Sequence, residues 1–427
     1  MPLAQGLLRE RGTCKVQSLI EKSLGNAEDL EPCMNVDCLP LRTVGCRHGV
    51  LGKLVVPSEG PETKRRKTSA GEGGQQDHSA CCLLSAPPLC AVEPLAWLLS
   101  DGRKDSISIL GCGAMGSVHL FSSTQRYRVC GLLRESWPPG KLFEVWAVDV
   151  WPEHVSVMRE KGLRLQGPTG DFTVPIHATL TPEEVPLSDL VIIATKMRDL
   201  EPATKLAKNL VKKDGVILAI QNGLGASERL LRHVGSEQAM LGIASNFGAC
   251  MRGPGHAEHK SMNRIILGEM GAPKIQRLHK VVSMWSSAGF KAEAACNIEQ
   301  KIWEKLICNV FVGGTCVVTD FTVGQMVDNH FSKQVALACA REAFEVGKAK
   351  GINFGFDDME KFLDTFASTV RDTYPSMAQD HRKRQASEVD VINGAIPLEA
   401  AKLGMSAPVN QTVANIIRAR ELAFSQP

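Results

Sequence analysis

An α/β fold followed by an all-α domain is what this sequence predicts, and three observations predict it. A short apolar run, Ser106-Ile107-Ser108-Ile109-Leu110, leads straight into Gly111-Cys112-Gly113-Ala114-Met115-Gly116, which has the pattern G-x-G-x-x-G. From residue 105 to about 295, apolar strand-like runs alternate with helical segments. That alternation is the mark of a parallel sheet covered by helices on both faces. After about residue 296 only helical periodicity remains. The chain therefore divides into an extension (1–104), a dinucleotide-binding α/β domain (105–295) and a helical domain (296–427).

The extension mixes Pro, Gly, Ser and Cys with no sustained period, and it carries the basic run Lys64-Arg65-Arg66-Lys67. It reads as a low-order segment, and the basic run as a nuclear-import signal or a partner patch. Seven of the fourteen cysteines lie before residue 91, in no zinc-binding spacing and with no C-x-x-C. The opening residues lack the apolar core of a signal peptide. Arg9, Arg11 and Lys15 would suit an organelle transit peptide, but Glu10 speaks against one. Reduced thiols and a cytoplasmic location are the expectation. A net charge of +3 gives no strong attraction to nucleic acid or to a membrane surface. The apolar stretch 81–99 is interrupted by Pro87, Pro88 and Pro94, so no bilayer span is expected there.

The elements of the α/β domain follow in order. After the strand 106–110, the first glycine permits a tight turn. The second lets a pyrophosphate approach the backbone, and the third lets the next helix pack on the strand. Phosphate would then meet the free N–H groups at the helix N-terminus. Residues 144–149 form a second strand, ending at Asp149. A helix opens at Pro152 and closes at Gly162, with proline in its first turn and glycine just past its end. Residues 189–194 form a third strand, 200–213 a helix, and 215–220 a fourth strand ending in Gln221-Asn222-Gly223-Leu224-Gly225. A helix over 226–234 and a strand at 240–244 follow. Ligands of such sheets bind beyond the carboxyl ends of the strands, where Gly111, Asp149, Lys196 and Asn222 all fall. In the helical domain the expected helices are 298–319, 331–351, 357–371, 376–403 and 408–424. The cleft between the two domains is the natural place for a substrate.

Asp149 at a strand end can accept hydrogen bonds from the ribose hydroxyls of NADH and would repel the 2′-phosphate of NADPH; the alternative is a solvated strand-end carboxylate. It lies 38 residues beyond Gly111, where about 20 is usual. The excess points to an insertion at His119–Val129, inside the first helix. His256 and His259 are three apart with no third ligand nearby, so they read as loop polar groups and no metal is expected.

Several separated motifs make the chain resemble the ketopantoate reductases (2-dehydropantoate 2-reductases). They are Ile109–Ser117 at the phosphate turn, Ala194-Thr195-Lys196 after a strand, and Gln221–Gly225. Next come Asn297-Ile298 with Trp303-Glu304-Lys305-Leu306 and Asn309, then Ser376-Met377-Ala378-Gln379-Asp380 with Glu388–Gly394. The resemblance runs from residue 106 to about 424. It implies a Rossmann domain followed by a 6-phosphogluconate-dehydrogenase-like helical domain. The implied reaction is NAD(P)H-dependent reduction of 2-dehydropantoate to pantoate in pantothenate biosynthesis.

Carried onto this chain, the resemblance implies Lys305 as general acid, able to polarise the ketone and give the alkoxide its proton. Burial in a cleft would lower its pKa toward neutrality. Glu388 would pair with Lys305 or accept from a substrate hydroxyl. Asn309 (on the same helix face as Lys305), Ser376 and Asn222 would bind the 2-oxo acid. The residues from Gly111 to Gly116, with Asp149, Lys196 and Asn222, would hold the cofactor. The family favours NADPH and Asp149 favours NADH, so that choice stays open. Gly313 and Val323 stand where the family carries asparagines. They leave open a paralogue that reduces another 2-oxo acid or an imine. A non-catalytic dinucleotide sensor is the alternative of a different class. The apolar faces of the helices suggest a homodimer.

Overall fold

The computed structural model describes residues 105–124, 144–168, 170–270, 275–287 and 291–424. The basic run at 64–67, the cysteine-rich stretch before residue 91 and residues 125–129 of the expected insertion lie outside them. Strand β1 (Ser106–Leu110) is buried along its whole length and leads through the glycine turn into α1 (Ala114–Thr124). His119 and Leu120 are fully buried in this helix. Trp285 Nε1 donates to His119 Nδ1 at 3.2 Å. The helix therefore runs on through the first residues of the expected insertion, as far as Thr124, with Val118 and Leu120 packed under the sheet.

Strand β2 (Glu144–Val148) is followed by α2 (Pro152–Lys161), which closes at Gly162 with a φ of 81°, as the Pro and Gly signals predict. Strands β3 (Leu163–Gly167) and β4 (Gly170–Val174) form an antiparallel hairpin before β5 (His177–Thr179) and β6 (Ser188–Ile193). Helix α3 (Leu200–Leu210) gives way at once to β7 (Val211–Ala219). The helix expected to run to 213 stops short because Val211 pairs with Ser188 of β6. Then come α4 (Ala226–Leu231), the long hairpin β8 (Ala239–Gly253) and β9 (His256–Glu269), α5 (Ile275–Ser287) and β10 (Lys291–Ala294).

The ten strands lie in the order β4-β3-β9-β8-β7-β6-β1-β2-β5, with β10 beside β9. From β8 to β5 every pairing is parallel, as expected. The β8–β9 and β3–β4 pairings are antiparallel, so the complete sheet is mixed. Side chains alternate between two apolar faces. Ile107, Ile109, Leu190, Ile192 and Leu218 face α1, α2 and α5. Val191, Ile193, Ile217 and Ala219 face α3, α4 and the helices that follow the sheet. Each such buried Ile, Leu or Val side chain contributes about 1.5–3 kcal/mol of transfer free energy. The chain crosses from β5 over to β6 on the far side of β1, so the ends of β1 and β6 flank the switch point where such sheets bind ligands.

Helix α6 (Ile298–Thr319) is capped by Asn297, whose side chain accepts from the Gln300 N–H. Among the described residues it alone is long and apolar enough to cross a membrane, yet 67% of its apolar window is buried inside the protein. Its apolarity serves the core, with Trp303 and Phe311 fully enclosed. Around it pack α7 (Val323–Asp328), α8 (His330–Ala349), α9 (Met359–Thr369), α10 (Ser376–Arg382), α11 (Ala395–Lys402) and α12 (Pro408–Leu422). The single helix expected over 376–403 is broken. After α10, Arg384 takes a left-handed φ of 54°, and a short turn at Val389–Val391 precedes α11. This break places Glu388 in a connection and not on a helix. Gly313 and Val323 are both buried. Val323 opens α7 beneath the capping box of Thr322 and Gln325.

Candidate active site

At the phosphate turn two of the three glycines have a steric reason. Gly111 has a φ of 84°, and a Cβ there would lie 2.8 Å from Thr195 Cγ2 and 2.9 Å from the Thr195 nitrogen. A Cβ at Gly116 would overlap the Gly111 carbonyl oxygen. Gly113 is exposed, and nothing lies within 4 Å of where its Cβ would be. The turn thus has a closed side against β6 and an open side at Gly113, directly before the N-terminus of α1 at Ala114. Met115 is partly buried in the first turn of that helix. Thr195 Oγ1 is buried without a hydrogen-bond partner beside Gly111. An open backbone, a helix N-terminus and an unpaired hydroxyl fit a dinucleotide pyrophosphate.

Three residues expected to hold the cofactor have partners within the protein. The Cys112 thiol points into the core, and burial pushes its pKa well above the usual range, with the Asp149 carboxylate adding to the shift. The Cys112 N–H donates to Asp149 Oδ2 at 2.5 Å, and Asp149 Oδ1 accepts from the Trp151 N–H at 3.0 Å. Asp149 therefore fastens the turn to the end of β2. Lys196, expected near the cofactor ribose or its phosphate, instead forms an ion pair with Asp380 of α10 at 3.0 Å, with side chains 48% and 16% exposed. Asp380 belongs to the same sequence motif as Ser376. Its position four residues on, hence on the same helix face, was the signal that could have singled it out.

The second constellation joins three elements. Gly223, with a φ of 80°, leaves no room for a side chain against the Val391 carbonyl, and the Leu224 N–H donates to that oxygen at 2.8 Å. Gln221 Nε2 donates to the carbonyls of Ile193 (2.8 Å) and Thr195 (3.1 Å). Between these anchors, Asn222 Oδ1 accepts from Lys305 Nζ at 2.7 Å, and Asn222 Nδ2 donates to Glu388 Oε2 at 3.3 Å. Burial lowers the Lys305 pKa from 10.5 to about 8, while the Glu388 carboxylate pulls it partly back up. Cys308, one turn away, is itself pushed up to about 12 by burial and stays a thiol. An ammonium of this acidity keeps its proton at neutral pH and releases it more readily than a solvated lysine.

Asn309 follows Lys305 by one turn on α6 and is half-buried, and Ser376 is exposed at the first turn of α10. Neither side chain hydrogen-bonds to Lys305. One further turn along α6, a Cβ on Gly313 would meet Met377 Sδ at 3.0 Å. His256 and His259 stand three apart on β9 and so point to opposite faces. Among the described residues no three His, Cys, Asp or Glu side chains gather as metal ligands would.

The chain is similar to known proteins over most of its described length. The family model for ketopantoate reductase PanE/ApbA matches residues 107–272, and the model for the C-terminal part of the same proteins matches residues 297–421. A 2-dehydropantoate 2-reductase of Pyrococcus abyssi is 32% identical over 316 residues, covering 74% of this chain and 97% of that protein. One from Archaeoglobus fulgidus is 28% identical over 321 residues, covering 75% and 99%. Among solved structures, a D-mandelate dehydrogenase with NADH and anilino(oxo)acetate superposes with a TM-score of 0.66 at 25% identity, over 75% of this chain and 99% of that one. A PanE/ApbA family ketopantoate reductase from Ralstonia eutropha shares the fold, with a TM-score of 0.66 at 24% identity over 75% and 100%. Two family models matched in order, and a relative above 30% identity along nearly its whole length, show that the chain belongs to the ketopantoate reductase family.

Proposed function

We propose that this nicotinamide-dependent oxidoreductase reduces 2-dehydropantoate to pantoate, with Lys305 as the general acid. The observation that carries the reading is the hydrogen-bonded chain Lys305–Asn222–Glu388, which holds a partly buried ammonium of lowered pKa at the junction of the sheet and the helices. A reduced nicotinamide dinucleotide held at the phosphate turn supplies the hydride. Lys305 donates a hydrogen bond to the ketone oxygen and then its proton to the alkoxide. Asn222 accepts from Lys305 and so aims the ammonium. Glu388 keeps Lys305 charged by its field. Asn309 and Ser376, with side chains not engaged by Lys305, hold the substrate carboxylate.

NADH is the preferred cofactor in this reading. Asp149 ends β2 as a carboxylate, and Val150, the next residue, is 93% exposed and uncharged. A 2′-phosphate placed there would meet the repulsion of the carboxylate. The test is oxidation of NADH and of NADPH by the purified chain with 2-dehydropantoate, with cofactor affinity measured in parallel. Turnover with a higher kcat/KM for NADH supports both halves of the reading. Cofactor binding without turnover on any 2-oxo acid would favour a dinucleotide sensor.

A second reading keeps the chemistry and changes the substrate. Gly313 and Val323 are buried and offer no polar side chain, and Met377 fills the space beside Gly313. The loss of two amide partners at these positions favours a 2-oxo acid with an apolar tail. Comparison of kcat/KM for 2-dehydropantoate and for 2-oxo-2-phenylacetate decides between the two.

A further inference from the structure

One buried side chain at the phosphate turn has no part in the proposed chemistry. His154 of α2 is fully enclosed, and both of its ring nitrogens are bonded. Nε2 lies 2.9 Å from the Cys112 carbonyl oxygen, and Nδ1 lies 2.8 Å from the Gly255 nitrogen. The Gly255 N–H can only donate, so Nδ1 accepts, and the proton sits on Nε2 and donates to Cys112. Burial keeps the His154 pKa below 6.5, so this neutral form persists at neutral pH. The Trp151 indole stacks on the ring, with centroids 5.2 Å apart and planes 20° apart. Ser117 Oγ donates to the same Cys112 carbonyl at 2.6 Å.

Residue 112 is therefore gripped on both sides. Its N–H is held by Asp149, and its C=O by His154 and Ser117. Cys112 stands between Gly111 and Gly113, so the orientation of its two peptide planes decides where the open Gly113 backbone and the start of α1 face. Gly255 lies in the turn between β8 and β9, far along the chain, and has a φ of 65°.

The geometry points to His154 as a positioning residue for the cofactor: through one fixed tautomer it ties the phosphate turn to the β8–β9 turn and sets the open face before the cofactor arrives. The inference rests on the reading that this turn holds the dinucleotide pyrophosphate. A preformed face spares the ordering cost that binding would otherwise carry. It acts on cofactor affinity and leaves the proton transfer at Lys305 untouched.

The experiment compares the full chain with His154→Phe, which keeps the ring and the stack on Trp151 but neither hydrogen bond, and with His154→Gln, whose amide can both donate and accept. Affinities for NADH and NADPH are measured by calorimetry, and kcat and cofactor KM by turnover. His154→Phe should raise the Kd and cofactor KM by about tenfold, with kcat at saturation unchanged, and His154→Gln should recover most of the loss. Ser117→Ala removes the companion donor and should move Kd the same way by a smaller factor; it carries the test if His154→Phe does not fold. Binding by these variants as tight as by the natural chain overturns the inference, as does a loss of kcat at unchanged Kd. If the natural chain binds neither NADH nor NADPH, the dinucleotide reading of the turn falls, and this inference falls with it.

Discussion

The phosphate turn and the Lys305 constellation are built in opposite ways. At the turn, backbone does the work: Gly111 and Gly116 are fixed by close contact, and both sides of Cys112 are held by buried or half-buried partners. All of these contacts lie within the sheet and the helices that cover it. At the acid, three side chains from residues 222, 305 and 388 are joined by two hydrogen bonds, both through Asn222. They come from the turn after β7, from α6 and from the break before α11. The turn is thus specified redundantly, whereas the acid depends on single atoms and on the docking of helices against the sheet. Substitutions at the turn should therefore change binding, and substitutions at the acid should change turnover and its pH dependence.

The largest effect should come from Lys305→Ala. Loss of a positioned general acid lowers kcat by about 10²–10⁴-fold, and the NADH Kd should stay that of the natural chain. Steady-state kinetics and calorimetry on the same preparation check both halves, and a parallel rise in Kd would erase the distinction between the two regions. Gly116→Ala should do the reverse. Its Cβ would overlap the Gly111 carbonyl, so the turn must shift, with a stability loss of about 1–3 kcal/mol read from the unfolding midpoint. NADH affinity should fall with it.

Glu388→Gln sharpens the comparison more finely. The Glu388 carboxylate raises the Lys305 pKa against the lowering effect of burial. Without that charge Lys305 gives up its proton at lower pH, so the alkaline fall in kcat should move to lower pH. A shift to higher pH would contradict the assigned sign. The smallest effect belongs to Asp380→Asn. Its partner Lys196 is half-exposed, so the stability change should stay below about 1 kcal/mol and shrink further in salt.

The same division governs what the sequence reveals. The glycine turn, the parallel strands at 106–110, 144–148 and 188–193, and the Pro152–Gly162 helix are legible because each has a local steric or periodic cause. The core helix α6 and the resemblance to the family are legible from its Trp303, Lys305 and Asn309 spacing. The antiparallel hairpins are not, since the pairing of β8 with β9 is a matter of register between distant residues. The break at Arg384 is hidden because helical periodicity runs through it until tertiary contacts decide otherwise. Among those contacts, Glu421 accepts from the Ser387 N–H and hydroxyl. The roles of Asn222, Lys305 and Glu388 came from the resemblance, and only the fold brings them within hydrogen-bonding reach. Lys196 reads as a cofactor contact from its place after a strand and its motif, because its ion-pair partner Asp380 lies 184 residues away and only the fold brings the two together. His154 escaped notice for the same reason: a histidine in an amphipathic helix carries no signal until its two ring nitrogens find Cys112 and Gly255.

The most direct measurement is the pH dependence of kcat for the natural chain at saturating NADH and 2-oxo acid. The structure predicts a rate steady near neutrality that falls as the pH rises through about 8, where Lys305 loses its proton. A rate that holds level until the pH of a solvated lysine, near 10.4, would show that the buried ammonium is not the acid of this reaction.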